Sequence, residues 1–301
     1  MFPFDIGVMV LVAITFFAAF VNGALGYGFS SLTVPVALLF YTNRLLNPAL
    51  ILIELFINLY VLFINRASIP KVWKRVYPIL LGLLPGVAAG SYFLASLHPA
   101  WVKFATYALL LPLIFFQIAG LRRPIRAERL FGPPFGAGLG FLYSVSTISG
   151  PPLALLFNNQ GLVKQEFRAG LGLIRTAESS LTALAYYYLG LFTVDSIGLT
   201  WTIVPGVLIG IPLGAFAIRH LDADTFRRIC MSFDAWIVGF GLSRVLIELE
   251  LAHGVLAYAP LMLAIAADAG LLYVFFARNR TTRSSPPITG AIPVALSQVH
   301  K

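Results

Sequence analysis

An all-α polytopic membrane protein built as an inverted-topology repeat is the fold class this sequence predicts, on three observations. First, 59% of its 301 residues are hydrophobic and only 11% are charged. Soluble domains carry roughly 25% charged residues, so this chain has too few charges to coat a water-soluble globule. Second, apolar runs close to the ~20 residues of one crossing recur along it. Third, one motif occurs twice. Gly23-Ala-Leu-Gly-Tyr-Gly-Phe-Ser-Ser-Leu-Thr-Val-Pro-Val-Ala-Leu-Leu-Phe40 and Gly140-Phe-Leu-Tyr-Ser-Val-Ser-Thr-Ile-Ser-Gly-Pro-Pro-Leu-Ala-Leu-Leu-Phe157 both place a Gly twelve residues before a Pro and end in Ala-Leu-Leu-Phe.

In chain order, the first apolar run, 6–41, is broken by Gly, Ser and Pro and ends in a short apolar arm. Unbroken runs follow at 46–64, 77–97 and 101–120. A second broken run, 131–158, is succeeded by unbroken ones at 168–190, 197–218, 225–247 and 253–277. Residues 1–277 therefore read as one transmembrane domain. Repeat A covers 6–120, repeat B covers 131–247, and an extra helix lies at 253–277. The tail 278–301, rich in Arg, Ser, Thr and Pro, reads as disordered and cytoplasmic.

The loop charges decide how the broken runs are counted. If each were one ordinary crossing, the basic loops at 66–75 and 122–129 would face the opposite side from the basic loop at 219–228 and the tail, against the positive-inside tendency. If each enters the membrane and returns as a re-entrant hairpin, all the basic loops become cytoplasmic. The loops carrying Asp195, Glu248 and Glu250 then become external, as does the N-terminus. The first hairpin enters from outside and the second from inside, so each half is one hairpin plus three crossings, in opposite orientation. Glycines at four-residue spacing support the duplication, in Gly82-Leu-Leu-Pro-Gly-Val-Ala-Ala-Gly90 and in Pro205-Gly-Val-Leu-Ile-Gly-Ile-Pro-Leu-Gly214. Such spacing lets helix backbones approach closely, and packing within one chain is the expectation here.

Broken, polar backbone at membrane depth is tolerated only where protein covers it or a wet cavity meets it. Two breaks in inverted halves point to a transporter's substrate site. Helix N-termini, hydroxyls and glycine backbone suit an oxyanion. Ser30, Ser31 and Thr33 on one side, and Ser146, Thr147, Ser149 and Gly150 on the other, are the candidate ligands. Pro35, Pro151 and Pro152 are expected to begin the second arms. Arg175 lies inside a span, with Glu178, Ser179 and Thr182 on its face. The repeat register sets it opposite Asn58, one turn after Glu54. Intramembrane charge is a functional signal by default. Arg175 has two structural readings beside the anion-binding one, an ion pair with Glu178 or a snorkel to the surface. Glu54, Glu178 and Asp234 are candidates for a coupling proton or for ion pairing, Arg244 being one potential partner; structural use is expected for Asp268. The aromatic residues are assigned no role.

At these motifs the chain resembles the sulfite exporter TauE/SafE family, also called the toluene sulfonate uptake permease family, over about residues 6–277. Members commonly carry a richer glycine run before each motif proline. The resemblance implies a secondary transporter of sulfite, organosulfonates or related small sulfur oxyanions or carboxylates, coupled to the proton gradient and sited in a bacterial inner membrane. An anion or small-solute channel is the alternative from another class, since paired hairpins also build channels.

An enzyme reading has nothing positive behind it. His98, His220, His253 and His300 lie outside the spans, and no metal-ligand spacing, nucleophile elbow or phosphate loop occurs. Neither cofactor nor metal is expected. The basic residues follow loops rather than one face, which excludes a nucleic-acid footprint. The partners expected are a small anion, the bilayer and protons. The lone Cys230 excludes an intramolecular disulfide.

Overall fold

The computed structural model describes residues 6–119, 128–159, 164–218 and 223–283, with Leu162 and His220. Its helices are α1 (Ile6–Leu25), α2 (Phe29–Ala37), α3 (Asn43–Ile64), α4 (Ile69–Ser96), α5 (Pro99–Ala119), α6 (Glu128–Ser146), α7 (Gly150–Asn159), α8 (Lys164–Tyr188), α9 (Val194–Ala217), α10 (Ala223–Glu248) and α11 (Ala259–Arg283). Seven of them, counted over the described residues, are long and apolar enough to cross a membrane. The protein is an all-α polytopic membrane protein. Its outward side chains match a lipid solvent: Phe56, Trp201 and Leu208 are each more than half exposed.

The expected unbroken runs correspond to α3, α4, α5, α8, α9, α10 and α11, but α8, which carries Arg175 and Glu178, is not one of the seven, and α1 is. Two ends differ. A 3-10 turn, Arg66–Ser68, leads into α4 at Ile69, so most of the basic stretch 66–75 is helix rather than loop. Pro70 fits the first helical turn, and long Lys and Arg stems extend a helix past its apolar run by reaching for water. At the other end α11 runs on to Arg283, beyond the expected boundary at 277. The loop at 120–127 and the tail from 284 lie outside the described residues.

Both broken runs split inside the repeated motif, after Leu25 and after Ser146. The second arms, α2 with 9 residues and α7 with 10, span only about 14–15 Å at 1.5 Å per residue. That is half of a hydrocarbon core of ~30 Å. At the first break the chain turns through Gly26 (φ +85°) and Gly28 (φ +110°), a region glycine enters without steric cost. At the second, Thr147 takes φ +56°, an uncommon conformation for a side-chain-bearing residue and one concentrated at functional sites. Pro35 does not begin its arm: α2 starts at Phe29 and holds Pro35 inside it. Pro151 and Pro152 do lie in the first turn of α7. The first arms also differ from simple re-entrant segments, because α1 alone reaches span length. α1 packs along α2, whereas α7 packs on α5 and α8.

The helix pairings show an exchange pattern. α1 lies against α9 and α6 against α4; α2 meets α10 and α7 meets α5; α3 meets α9 and α8 meets α4. Shifting every label by five maps each pair onto its counterpart, while α3–α8 and α5–α10 map onto themselves. The two closest seams are lined by the spaced glycines. A methyl built on Gly82 or Gly86 would stand 2.0–2.1 Å from the carbonyl oxygens of Pro133 and Ala137, and one on Gly214 would stand 1.8 Å from that of Phe20. Backbone meets backbone there, within one chain.

Candidate functional site

The tips of both broken runs reach the middle of the α3–α8 pair. Glu54 stands eleven residues into α3 and Arg175 eleven into α8, about 16 Å along each helix. Both are buried, at 1% and 5% exposure. Arg175 Nη2 donates to Glu54 Oε1 at 2.7 Å. Its ion pair therefore joins the halves. The expected pairing with Glu178 and the snorkel to the surface are both replaced by this contact, because Glu54 brings the closer carboxylate.

Ser30 Oγ, from the first turn of α2, also donates to Glu54 Oε1, at 2.6 Å. Ser149 Oγ, at the start of α7, donates to Glu178 Oε2 at 2.5 Å. Each tip thus hands one hydroxyl to a carboxylate on the next helix of its own half. Tyr143, one turn before the second break, donates to Glu54 Oε2 at 2.8 Å and shares a hydrogen bond of 2.7 Å with Ser179 Oγ. Asn58 Nδ2 donates to Ser179 Oγ at 3.1 Å and lies 3.5 Å from the Arg175 carbonyl oxygen. The expected meeting of Asn58 with Arg175 is present, through backbone rather than guanidinium.

Other candidates serve their own backbone. Ser31 Oγ donates to the Gly28 carbonyl, Ser146 Oγ to that of Leu142, and Thr147 Oγ1 to that of Ser146. Such local bonds occupy groups orphaned where a helix stops. Thr33 is buried with no partner for its hydroxyl. Tyr27 packs on the second tip at Gly150, where an added methyl would meet Tyr27 Cβ at an ordinary contact distance of 3.5 Å. Asp234 is buried on α10, outside this network. Asp268 accepts from Ser232 at 3.0 Å and Trp236 at 3.1 Å, and lies 3.9 Å from Arg228. It fastens α11 to α10, the structural use expected of it. Arg244 is exposed and does not meet either aspartate as the buried partner it was expected to be.

Sequence reasoning missed Tyr143, dismissed with the other aromatics. Its signal was its place: a phenol four residues before Thr147, inside the repeated motif, is not lipid-facing filler. It also missed the clamp on the end of α6. Asn43 and Asn47 both donate to the Val145 carbonyl, at 3.1 and 2.6 Å, and the Tyr186 hydroxyl donates to the Ser144 carbonyl. These side chains satisfy carbonyls the break leaves open.

The two helix starts are unequal as anion sites. The N–H groups of Phe29, Ser30 and Ser31 lie outside the α2 ladder, which begins with Leu32 donating to Gly28. In α7, Pro151 and Pro152 have no N–H and Leu153 already donates to Ser149, leaving Gly150 alone. The expected symmetric pair of donor tips is thus lopsided toward α2. The centre otherwise holds one guanidinium and two carboxylates, and Arg175 Nε and Glu178 Oε1 have no hydrogen-bond partner. A cavity of about 740 Å³ between α3 and α9, walled by Phe56, Tyr60 and Trp201, is apolar and separate from this cluster.

The family model described as "Sulfite exporter TauE/SafE" matches residues 11–241. The chain belongs to that family. The TauE/SafE match takes in both broken runs, Glu54, Arg175 and Glu178, and stops inside α10, so α11 stands outside it. A TauE/SafE chain with these helices is a membrane transporter of the sulfite-exporter class. Among curated proteins and solved structures, nothing matches it.

Proposed function

We propose that the protein is a secondary transporter that moves a small sulfur-containing oxyanion, sulfite or an organosulfonate, by alternating access. The two halves act as an inverted repeat, with the N-terminus outside and the C-terminus in the cytoplasm of a bacterial cell. The anion binds among the α2 start, the second tip and Arg175. The observation that carries this reading is the convergence of both tips, midway along α3 and α8, on two buried carboxylates, one of which holds the Arg175 guanidinium. Irregular backbone and an intramembrane charge are each costly in lipid, and here they coincide. The exchange pattern of helix pairs supports a rocking of one half against the other about that point.

Uptake into proteoliposomes of labelled sulfite, a small sulfonate, sulfate and a carboxylate tests the reading. Saturable uptake selective for a sulfur oxyanion is the expected result; no uptake of any of them by folded protein would overturn it. Ser30→Ala and Ser149→Ala should each raise the half-saturating concentration about tenfold. A hydrogen bond to a charged group is worth ~1.5–3 kcal/mol, and each hydroxyl fixes a carboxylate beside the anion. Unchanged half-saturation in both would move the site away from the tips.

A further inference from the structure

Glu54 and Glu178 hold equivalent places in the two halves, each beside the serine of its own tip, yet their oxygens are satisfied very differently. Glu54 receives three donors, Arg175 and Ser30 on Oε1 and Tyr143 on Oε2, at 2.6–2.8 Å. That environment suits a carboxylate. Glu178, with no exposure at all, receives one hydroxyl, and its Oε1 has no partner. A buried carboxylate with an unpaired oxygen is the more expensive form of that side chain, and the neutral acid is the cheaper one. A protonated Glu178 also keeps its bond to Ser149, because the serine hydroxyl can accept as well as donate.

The charge count gives this difference a consequence. With both carboxylates ionised, the buried centre has one positive and two negative groups before any anion arrives. We propose that Glu178 is the proton-carrying group of this site: an oxyanion binds only to the form in which a proton from water sits on the Glu178 carboxyl, so one proton accompanies each anion. The proposal rests on the oxyanion reading above. No bond changes other than the Glu178 O–H, made with a proton from water wherever the carboxyl is ionised and broken on release. Arg175 on α8 itself and Glu54 on α3 are the charges felt at Glu178. Tyr143 on α6 is the further titratable group beside it, and Ser149 opens α7. From α4, also packed on α8, the charged residues Lys71, Lys74 and Arg75 lie in its first two turns. Arg66, in the turn before it, lies over the Phe63 ring.

The test is calorimetric titration of the purified protein in nanodiscs with methanesulfonate, an anion whose own charge is constant across the pH range. In the wild type the apparent Kd should rise about tenfold per pH unit on the alkaline limb, the slope of one linked proton. On that limb, titration in buffers of different ionisation enthalpy should return one proton taken up per anion. Glu178→Gln should bind the anion with no pH slope and no proton uptake. Asp234→Asn, at another buried carboxyl with one oxygen unpartnered, should keep the wild-type slope. Glu178→Asp, which keeps a carboxyl in case the amide misfolds, should shift the midpoint of the pH curve. Binding on the alkaline limb without proton uptake, a slope that survives Glu178→Gln, or an unmoved midpoint in Glu178→Asp would each overturn the proposal and leave the oxyanion reading standing. No binding at any pH would overturn both.

Discussion

Arg175→Gln should lower anion uptake at least about a hundredfold, the largest functional loss expected from any one side chain here. Loss of a charge-assisted contact to a buried anion costs ~3 kcal/mol, and each tenfold is ~1.4 kcal/mol. The guanidinium is placed for two tasks: Nη2 is engaged by Glu54, while Nε is without a partner. A point-charge ammonium cannot serve two acceptors through a planar fork, so Arg175→Lys should fall between wild type and the amide. The single change to Gln carries a complication that its buried partner imposes. It strands Glu54 as an uncompensated carboxylate, and breaking one side of a buried pair costs about 3–5 kcal/mol of stability. The double variant Glu54→Gln/Arg175→Gln removes both charges and should recover the thermal stability of the wild type in detergent, yet still fail to transport. If the double variant transports, the role of Arg175 is to neutralise Glu54. If the single variant transports normally, the anion binds elsewhere.

The double variant also marks what was readable from residues alone. That Arg175 lies inside a span and shares a face with Glu178 and Ser179 follows from helical spacing. That its partner is Glu54 depends on how α3 and α8 approach, which no local pattern fixes. The breaks were legible because Gly, Ser and Pro are out of place in an apolar run. The start of α2 was not: Pro favours first turns, which points to Pro35 as a helix start, whereas the left-handed Gly28 sets the start at Phe29. The repeat register is likewise not fixed by spacing. Offsets measured from the prolines pair Asn58 with Arg175, but the hydroxyl–carboxylate contacts pair Ser30–Glu54 with Ser149–Glu178. Insertions between a tip and the next helix shift such offsets without disturbing the contacts. Tyr143 was lost because a phenol in a membrane sequence reads as an interfacial ring until its hydroxyl is seen to have buried partners.

Gly86→Val should prevent a stable fold, and it separates the scaffold from the chemistry. In lipid the helices gain little by burying apolar surface from one another, so close packing and backbone approach hold them together. At Gly86 an added Cβ would lie 2.1 Å from the Ala137 carbonyl oxygen, and at Gly136, farther along the same seam on α6, 2.1 Å from that of Ile79. Neither neighbour is a side chain that can swing away. The α4–α6 seam must open, and overpacking of this kind costs about 1–3 kcal/mol or more. Because Tyr143 sits in the last turns of α6 and Ser149 follows just past its end, an opened seam also pulls the second tip from Glu54 and Glu178. Thermal unfolding followed by fluorescence-detected size exclusion should show Gly86→Val, or Gly214→Val in the α1–α9 seam, losing the monodisperse peak. Gly198→Ala is the matched control, since a methyl there meets nothing within 4 Å. It should stay neutral or gain up to about 1 kcal/mol, because alanine is the better helix former. Equal behaviour of Gly86→Val and Gly198→Ala would mean that the seam is not what joins the two halves.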